Sequence, residues 1–155
     1  MENKLLNKII VYGGGVIGNL TSLCFKRNGF DVYQVKTDFK NIKDKTYALS
    51  PSSVDWMRLI GLRNEFIDSM HPIENIEINR NNSSANFSAD SVFEPALAYM
   101  VSERKLLQEI QRKIDSVDIK VFTEPDKINI DNSSDKVLIE LERESIQASI
   151  LIACD

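Results

Sequence analysis

Six consecutive residues carry the strongest chemical signal in this 155-residue sequence. Gly13, Gly14, Gly15, Val16, Ile17 and Gly18 form a G-x-G-x-x-G spacing between an apolar run and a helical period. In that setting Gly13 permits a tight turn, Gly15 lets the backbone come close to a pyrophosphate, and Gly18 lets a helix pack against a strand. The anion would rest on unpaired amides at the helix N-terminus, where the helix dipole adds favourable potential. The chemistry indicated is dinucleotide binding, and the alternative is a glycine turn that merely packs. About 20 residues beyond such glycines an acid ordinarily accepts hydrogen bonds from a ribose. Here Lys36 stands at that place. A cation there suits the 2′-phosphate of NADP; Asp38 is near enough to reach a ribose, and a solvated lysine at a strand end is the plain alternative. Arg104 is the other cation to single out. In the first turn of a predicted helix it either meets a phosphate or stays an exposed ion beside Glu103.

These residues need a frame. Lys8, Ile9, Ile10, Val11 and Tyr12 read as a strand buried on both faces. From Val16, the residues Ile17, Leu20, Leu23 and Cys24 recur at helical spacing, and Asn28 with Gly29 closes that helix. A second strand over 31–35 completes a βαβ unit, whose crossover is right-handed. Ser50 caps and Pro51 opens a helix with Val54, Met57 and Ile60 on its buried face and Gly61 at its end. A short helix over 63–70, a half-buried strand over 72–80 and a polar loop over 81–86 follow. Residues 97–101 make another strand, and Ser102 caps a helix with Leu106, Leu107, Ile110 and Ile114 along one face. Beyond it, residues 119–122, Ile128 with Ile130, and Val137, Ile139 and Leu141 alternate as a small antiparallel meander with a turn over 131–135. The meander feeds a last apolar strand over 146–154. The fold class is α/β: a Rossmann-like βαβ unit and parallel sheet plus a small antiparallel β-meander, in one domain over 1–155.

Composition narrows the function classes. The hydrophobic fraction of 43% and charged fraction of 27% are those of a folded globular chain. A net charge of −4 without a basic stripe removes the electrostatic basis for nucleic-acid binding. Cys24 and Cys154 fall in apolar runs and read as buried, reduced thiols without metal-ligand spacing. The single histidine, His71, sits beside Pro72 at an expected surface turn. Glu140, Glu142 and Glu144 share the solvent face of one strand, which accounts for them without a carboxylate pair. No stretch reaches the length of a membrane span, and the apolar run over 9–12 is too short for a secretion signal. The expected location is cytoplasmic, with a peripheral place in a membrane-associated complex compatible with it.

Taken together, the motifs resemble the ubiquinone-biosynthesis branch of the flavin-dependent aromatic hydroxylases, the group that includes p-hydroxybenzoate hydroxylase. The parts that carry the resemblance are the 10–18 segment with its glycines, Asn28-Gly29-Phe30-Asp31-Val32, Ala48-Leu49-Ser50-Pro51-Ser52-Ser53, Leu59-Ile60-Gly61-Leu62, the 99–106 segment with Arg104, and the closing Ala153-Cys154-Asp155. The resemblance implies an FAD site. Gly13, Gly14, Gly15, Val16, Ile17 and Gly18 would lie under the pyrophosphate, position 36 on the adenosine ribose, and Arg104 near the flavin phosphate and ribitol. Lys45 would stand at a family arginine, and Asp155 would be the acid of a Gly-Asp-Gly segment. In that family NAD(P)H reduces the flavin, oxygen gives a C4a-hydroperoxyflavin, and an aromatic quinone precursor is hydroxylated.

Three departures accompany the resemblance. Lys36 replaces the usual acid, so an acceptor becomes a donor; Lys45 keeps the charge of an arginine without its bidentate fork; and Ala153-Cys154 replaces Gly-Ala. Family members also continue well beyond residue 155, so the expectation is an N-terminal, truncated portion that is inactive alone and lacks a C-terminal half. The competing expectation is a non-catalytic NADP- or adenine-nucleotide-binding module, or a decayed fragment.

Overall fold

The computed structural model describes residues 7–36, 45–81, 83–123, 129–131, 136–141 and 145–154. In chain order the elements are β1 (Lys8–Tyr12), α1 (Val16–Arg27), β2 (Asp31–Lys36), β3 (Thr46–Leu49), α2 (Pro51–Leu59), α3 (Asn64–Asp68), β4 (His71–Ile73), β5 (Asn75–Arg80), β6 (Ser83–Ser88), a 3-10 turn (Ala89–Val92), β7 (Ala98–Ser102), α4 (Glu103–Asp115), β8 (Lys120–Thr123), β9 (Asn129–Asp131), β10 (Val137–Glu140), β11 (Ser145–Ala148) and β12 (Ile150–Ala153). They fall into two compact units, one from residues up to 42 and from 110 onward, the other from 43–109, with the division inside α4.

The first unit is built on a four-stranded parallel sheet in the order β12-β1-β2-β8. Alternate residues of β1 and β2 serve opposite faces, and both strands are buried on both sides. Ile9, Val11 and Val32 pack with Phe25 of α1 and with Phe30, Ile119 and Ile152. On the other face, Ile10, Tyr33 and Val35 pack with Ile139, Ile146 and Ala148 of the antiparallel sheet β11-β10-β9. Each side chain so buried contributes roughly 1.5–3 kcal/mol. The sequence expectation of a parallel sheet with a small antiparallel meander therefore holds, with one correction: residues 119–122, read as part of the meander, contribute β8, which pairs parallel with β2.

Helix α1 is rotated relative to the stripe read from sequence. Its buried residues are Gly18, Asn19, Leu20, Ser22 and Leu23, whereas Ile17 is 66% exposed and Cys24 only half-buried. The small residues let the helix backbone approach the sheet, which large apolar residues on that face would prevent. Cys154 is likewise half-buried rather than buried, and its thiol faces the Thr21 hydroxyl at 3.7 Å.

The expected final strand over 146–154 is two strands broken at Ser149. β11 pairs with β10 in the antiparallel sheet, and β12 pairs with β1 in the parallel one. The Ser149 amide donates to the Lys8 carbonyl at 3.2 Å at the crossing point.

The second unit holds the antiparallel sheet β3-β7-β4 and helices α2 and α3. Val54, Met57, Ile60, Leu62, Ile67, Met70, Val101 and Leu106 are among its buried apolar residues. Arg63 closes a bidentate ion pair on the buried Glu109 at 2.7 Å. The strand expected over 72–80 is split into β4 and β5, and all of β5 is exposed. The polar segment over 81–86, expected as a loop, contributes most of β6. Ile76 lies opposite Phe87 and Ile78 opposite Ala85, so cross-strand contacts hold the hairpin despite its asparagines and serines. It turns at Asn81, whose φ of 53° is one that asparagine tolerates. His71 is exposed on β4 rather than in a turn.

Candidate functional site: the glycine turn at the sheet edge

All four parallel strands end at the same edge, and the 13–15 turn leaves β1 there to enter α1. Its glycines meet different surroundings. Gly13 has a φ of +135°, its amide donates to the Val35 carbonyl at 2.9 Å, and a β-carbon on it would overlap the Cys154 carbonyl. A β-carbon on Gly18 would overlap the Gly13 carbonyl. These two glycines are demanded by the fold itself. Gly15 is different: a β-carbon there would find no atom of the described residues within 4 Å beyond its chain neighbours. It is the N-cap of α1 in an extended conformation that any residue adopts, yet among the described residues no side chain caps the helix, and no acid lies in its first turn. Val16 is half-buried and Ile17 exposed beside that open end.

A buried amide network, which the sequence reading did not identify, holds the turn. Gln34 Nε2 donates to the Gly13 carbonyl at 3.0 Å and to Asn19 Oδ1 at 2.8 Å. Asn19 Nδ2 in turn donates to the Gly14 carbonyl at 2.9 Å. Both side chains are buried, and Gln34 Oε1 has no partner among the described residues. Two successive carbonyls of the turn are thus tied to β2 and α1, and the turn keeps its shape by itself. The available signal was a glutamine interrupting the apolar run of β2.

Lys36 ends β2 with its stem against Gly14: a β-carbon on that glycine would lie 2.9–3.3 Å from the Lys36 Cβ, Cδ and Cγ. Its ammonium donates to Gln111 Oε1 of α4 at 2.7 Å. Gln111 Nε2 donates onward to Asp115 Oδ1 at 2.7 Å. Burial pushes the Lys36 pKa below the ordinary lysine value, and the charge of Asp115 opposes that shift.

Lys45 and Arg104 belong to the second unit, where the antiparallel pairing of Thr46 with Ser102 brings their chain segments side by side. The Glu103 amide donates to the Lys45 carbonyl at 2.7 Å, and both the Lys45 and Arg104 side chains are exposed. Ser102 Oγ accepts from the Lys105 amide at 3.2 Å, as expected of a cap. Beneath them the Tyr47 hydroxyl donates to the buried Glu103 carboxylate at 2.6 Å. That hydrogen bond, with burial and the Glu103 charge behind it, pushes the phenol pKa up. Asp155 and Asp38 lie outside the described residues. Among the described residues no cluster of three metal-ligating side chains occurs, and no helix is long and apolar enough to cross a membrane.

No family model and no curated protein matches the sequence. Solved structures do share its fold. p-Nitrophenol 4-monooxygenase PnpA from Pseudomonas putida DLL-E4 superposes with a TM-score of 0.74 at 17% identity, over 97% of this chain and 40% of that one. The Diels-Alderase PyrE3 of the pyrroindomycin biosynthetic pathway gives 0.75 at 16% identity, over 96% of this chain and 32% of its own. The tetrameric form of 2-methyl-3-hydroxypyridine-5-carboxylic acid oxygenase gives 0.72 at 13% identity, over 94% and 38%. The chain therefore has the fold of one portion of these enzymes and spans 40% or less of their length.

Proposed function

We propose that this chain is the N-terminal, FAD-binding portion of a flavin-dependent, NAD(P)H-using aromatic-ring hydroxylase. The observation that carries the reading is the open, uncapped end of α1 at Gly15, at the carboxyl edge of a parallel sheet. In open α/β sheets that edge is where nucleotides bind. The fold shared with a nitrophenol monooxygenase and a pyridine-carboxylate oxygenase supports the choice of a flavin over other dinucleotides.

The residues present fit an FAD pyrophosphate. The turn is held by Gln34 and Asn19 before any ligand arrives, so little ordering entropy remains to be lost on binding. The amides that open α1 offer hydrogen bonds and the positive end of the helix dipole to the anion. Gly15 leaves room for the phosphates to approach the backbone. Lys45, Arg104 and Asp155 are proposed as FAD contacts on the family resemblance alone. Bound flavin would supply the redox chemistry of oxygen insertion, whereas this chain's contribution is binding and orientation. A quinone precursor of the ubiquinone type is the proposed substrate class. Turnover is proposed for a longer protein or an assembly that contains this portion, and a cytoplasmic location goes with it.

Calorimetric titration of FAD into the chain tests the reading. Saturable binding at micromolar strength or tighter is expected. No heat of binding at several hundred micromolar FAD would overturn it.

A further inference from the structure

We infer that the adenosine end of this site selects a phosphorylated ribose, with the Lys36 ammonium as the contact for a 2′-phosphate. This rests on the reading of the glycine turn as a nucleotide site and goes beyond the FAD reading, because FAD carries no 2′-phosphate.

The ammonium is placed rather than free to wander. Its stem is packed on Gly14 and its head is anchored on Gln111 Oε1. An ammonium has three donors, and Gln111 occupies one. Gln111 is neutral and cannot cancel the charge. The carboxylate of Asp115 stands one hydrogen bond further back, and Lys36 forms no ion pair among the described residues. Burial favours loss of the proton, and the charge of Asp115 offsets part of that effect. A solvated strand-end lysine would show neither the packing nor the amide anchor.

Chemistry then fixes what such a group prefers beside an adenosine ribose. A carboxylate at this place accepts from the ribose hydroxyls, whereas an ammonium only donates. A 2′-hydroxyl gives it a single neutral acceptor. A 2′-phosphate brings nearly two negative charges and three strong acceptor oxygens, and charge-assisted hydrogen bonds are about twice as strong as neutral ones. A nucleotide with a 2′-phosphate should accordingly compete with FAD for the turn, since FAD carries an unphosphorylated ribose.

The test titrates 2′,5′-ADP and 5′-AMP, which differ only in the 2′-phosphate, separately into the full chain and into Lys36→Met and Lys36→Glu. For the unsubstituted chain, 2′,5′-ADP should bind about tenfold tighter than 5′-AMP at low ionic strength, and the gap should narrow at high salt. Lys36→Met keeps the stem over Gly14 and should erase the gap. Lys36→Glu should reverse the preference. If one variant fails to fold the other carries the assignment, and a gap in the unsubstituted chain that does not narrow with salt overturns a charge contact. Equal or tighter binding of 5′-AMP overturns the inference and leaves the nucleotide site intact. A preference that survives in Lys36→Met overturns the assignment to Lys36. Binding of neither nucleotide overturns both the inference and the site on which it rests.

Discussion

Helices α1 and α2 end alike and begin differently. Each closes in a Schellman motif around a glycine of positive φ. In α1 the Phe30 amide reaches the Phe25 carbonyl and the Gly29 amide that of Lys26; in α2 the Leu62 amide reaches Met57 and the Gly61 amide Arg58. α1 carries Lys26 and Arg27 and α2 carries Arg58 in the last turn, where the dipole favours them. At the other end α2 satisfies itself. Ser50 Oγ accepts from the Ser53 amide at 3.2 Å, and Pro51 removes one donor outright. α1 starts from Gly15 with no side-chain cap, no first-turn acid and open space where a side chain would stand. Since the chain supplies a complete cap 35 residues later, the bare end of α1 is not a general economy of capping, and it is the feature on which the proposed nucleotide site rests.

The contrast can be broken from either side. The largest effect is expected at Gly13→Ala. The new methyl would meet the Cys154 carbonyl while the backbone holds a φ of +135°, so stability should fall by at least about 3 kcal/mol in thermal or denaturant unfolding. Retention of the parental melting temperature would mean that the turn is looser than described. Gln34→Leu comes next. It leaves the Gly13 carbonyl and Asn19 Oδ1 without their shared donor, with an expected loss of about 1–3 kcal/mol and weaker FAD binding even where the variant is fully folded. Ser50→Ala should have the smallest effect. Loss of the α2 cap costs about 1 kcal/mol and should leave FAD affinity unchanged, so a drop in affinity there would erase the distinction between the two helix ends.

Legibility in the sequence followed the range of the forces involved. The bounds of β1, α1 and β2, and the Ser50-Pro51 opening of α2, were set by neighbours in sequence and could be read directly. The β5–β6 hairpin could not, because Ser83, Ser84 and Asn86 carry little strand preference and are held by pairing with β5. The inward face of α1 was misplaced because helical period alone favours Ile17 and Cys24 over Gly18 and Ser22, and only the sheet reveals which side must be small. For the site, the glycines and Lys36 were legible as a motif. The Gln34–Asn19 network and the Gln111 anchor were not, since they join residues 15 and 75 positions apart through the fold.

The most direct measurement gives α1 the cap that α2 already has. Gly15→Asp places a carboxylate at an N-cap with suitable backbone and open space around it. Stability and FAD affinity would be measured on the same preparation by thermal unfolding and calorimetry. The expected result is a fold as stable as before or more stable by up to about 1 kcal/mol, with FAD binding weakened about a hundredfold by a carboxylate at the position proposed for the pyrophosphate. A variant that binds FAD as tightly as the unsubstituted chain would contradict the assignment of this helix end as the ligand site.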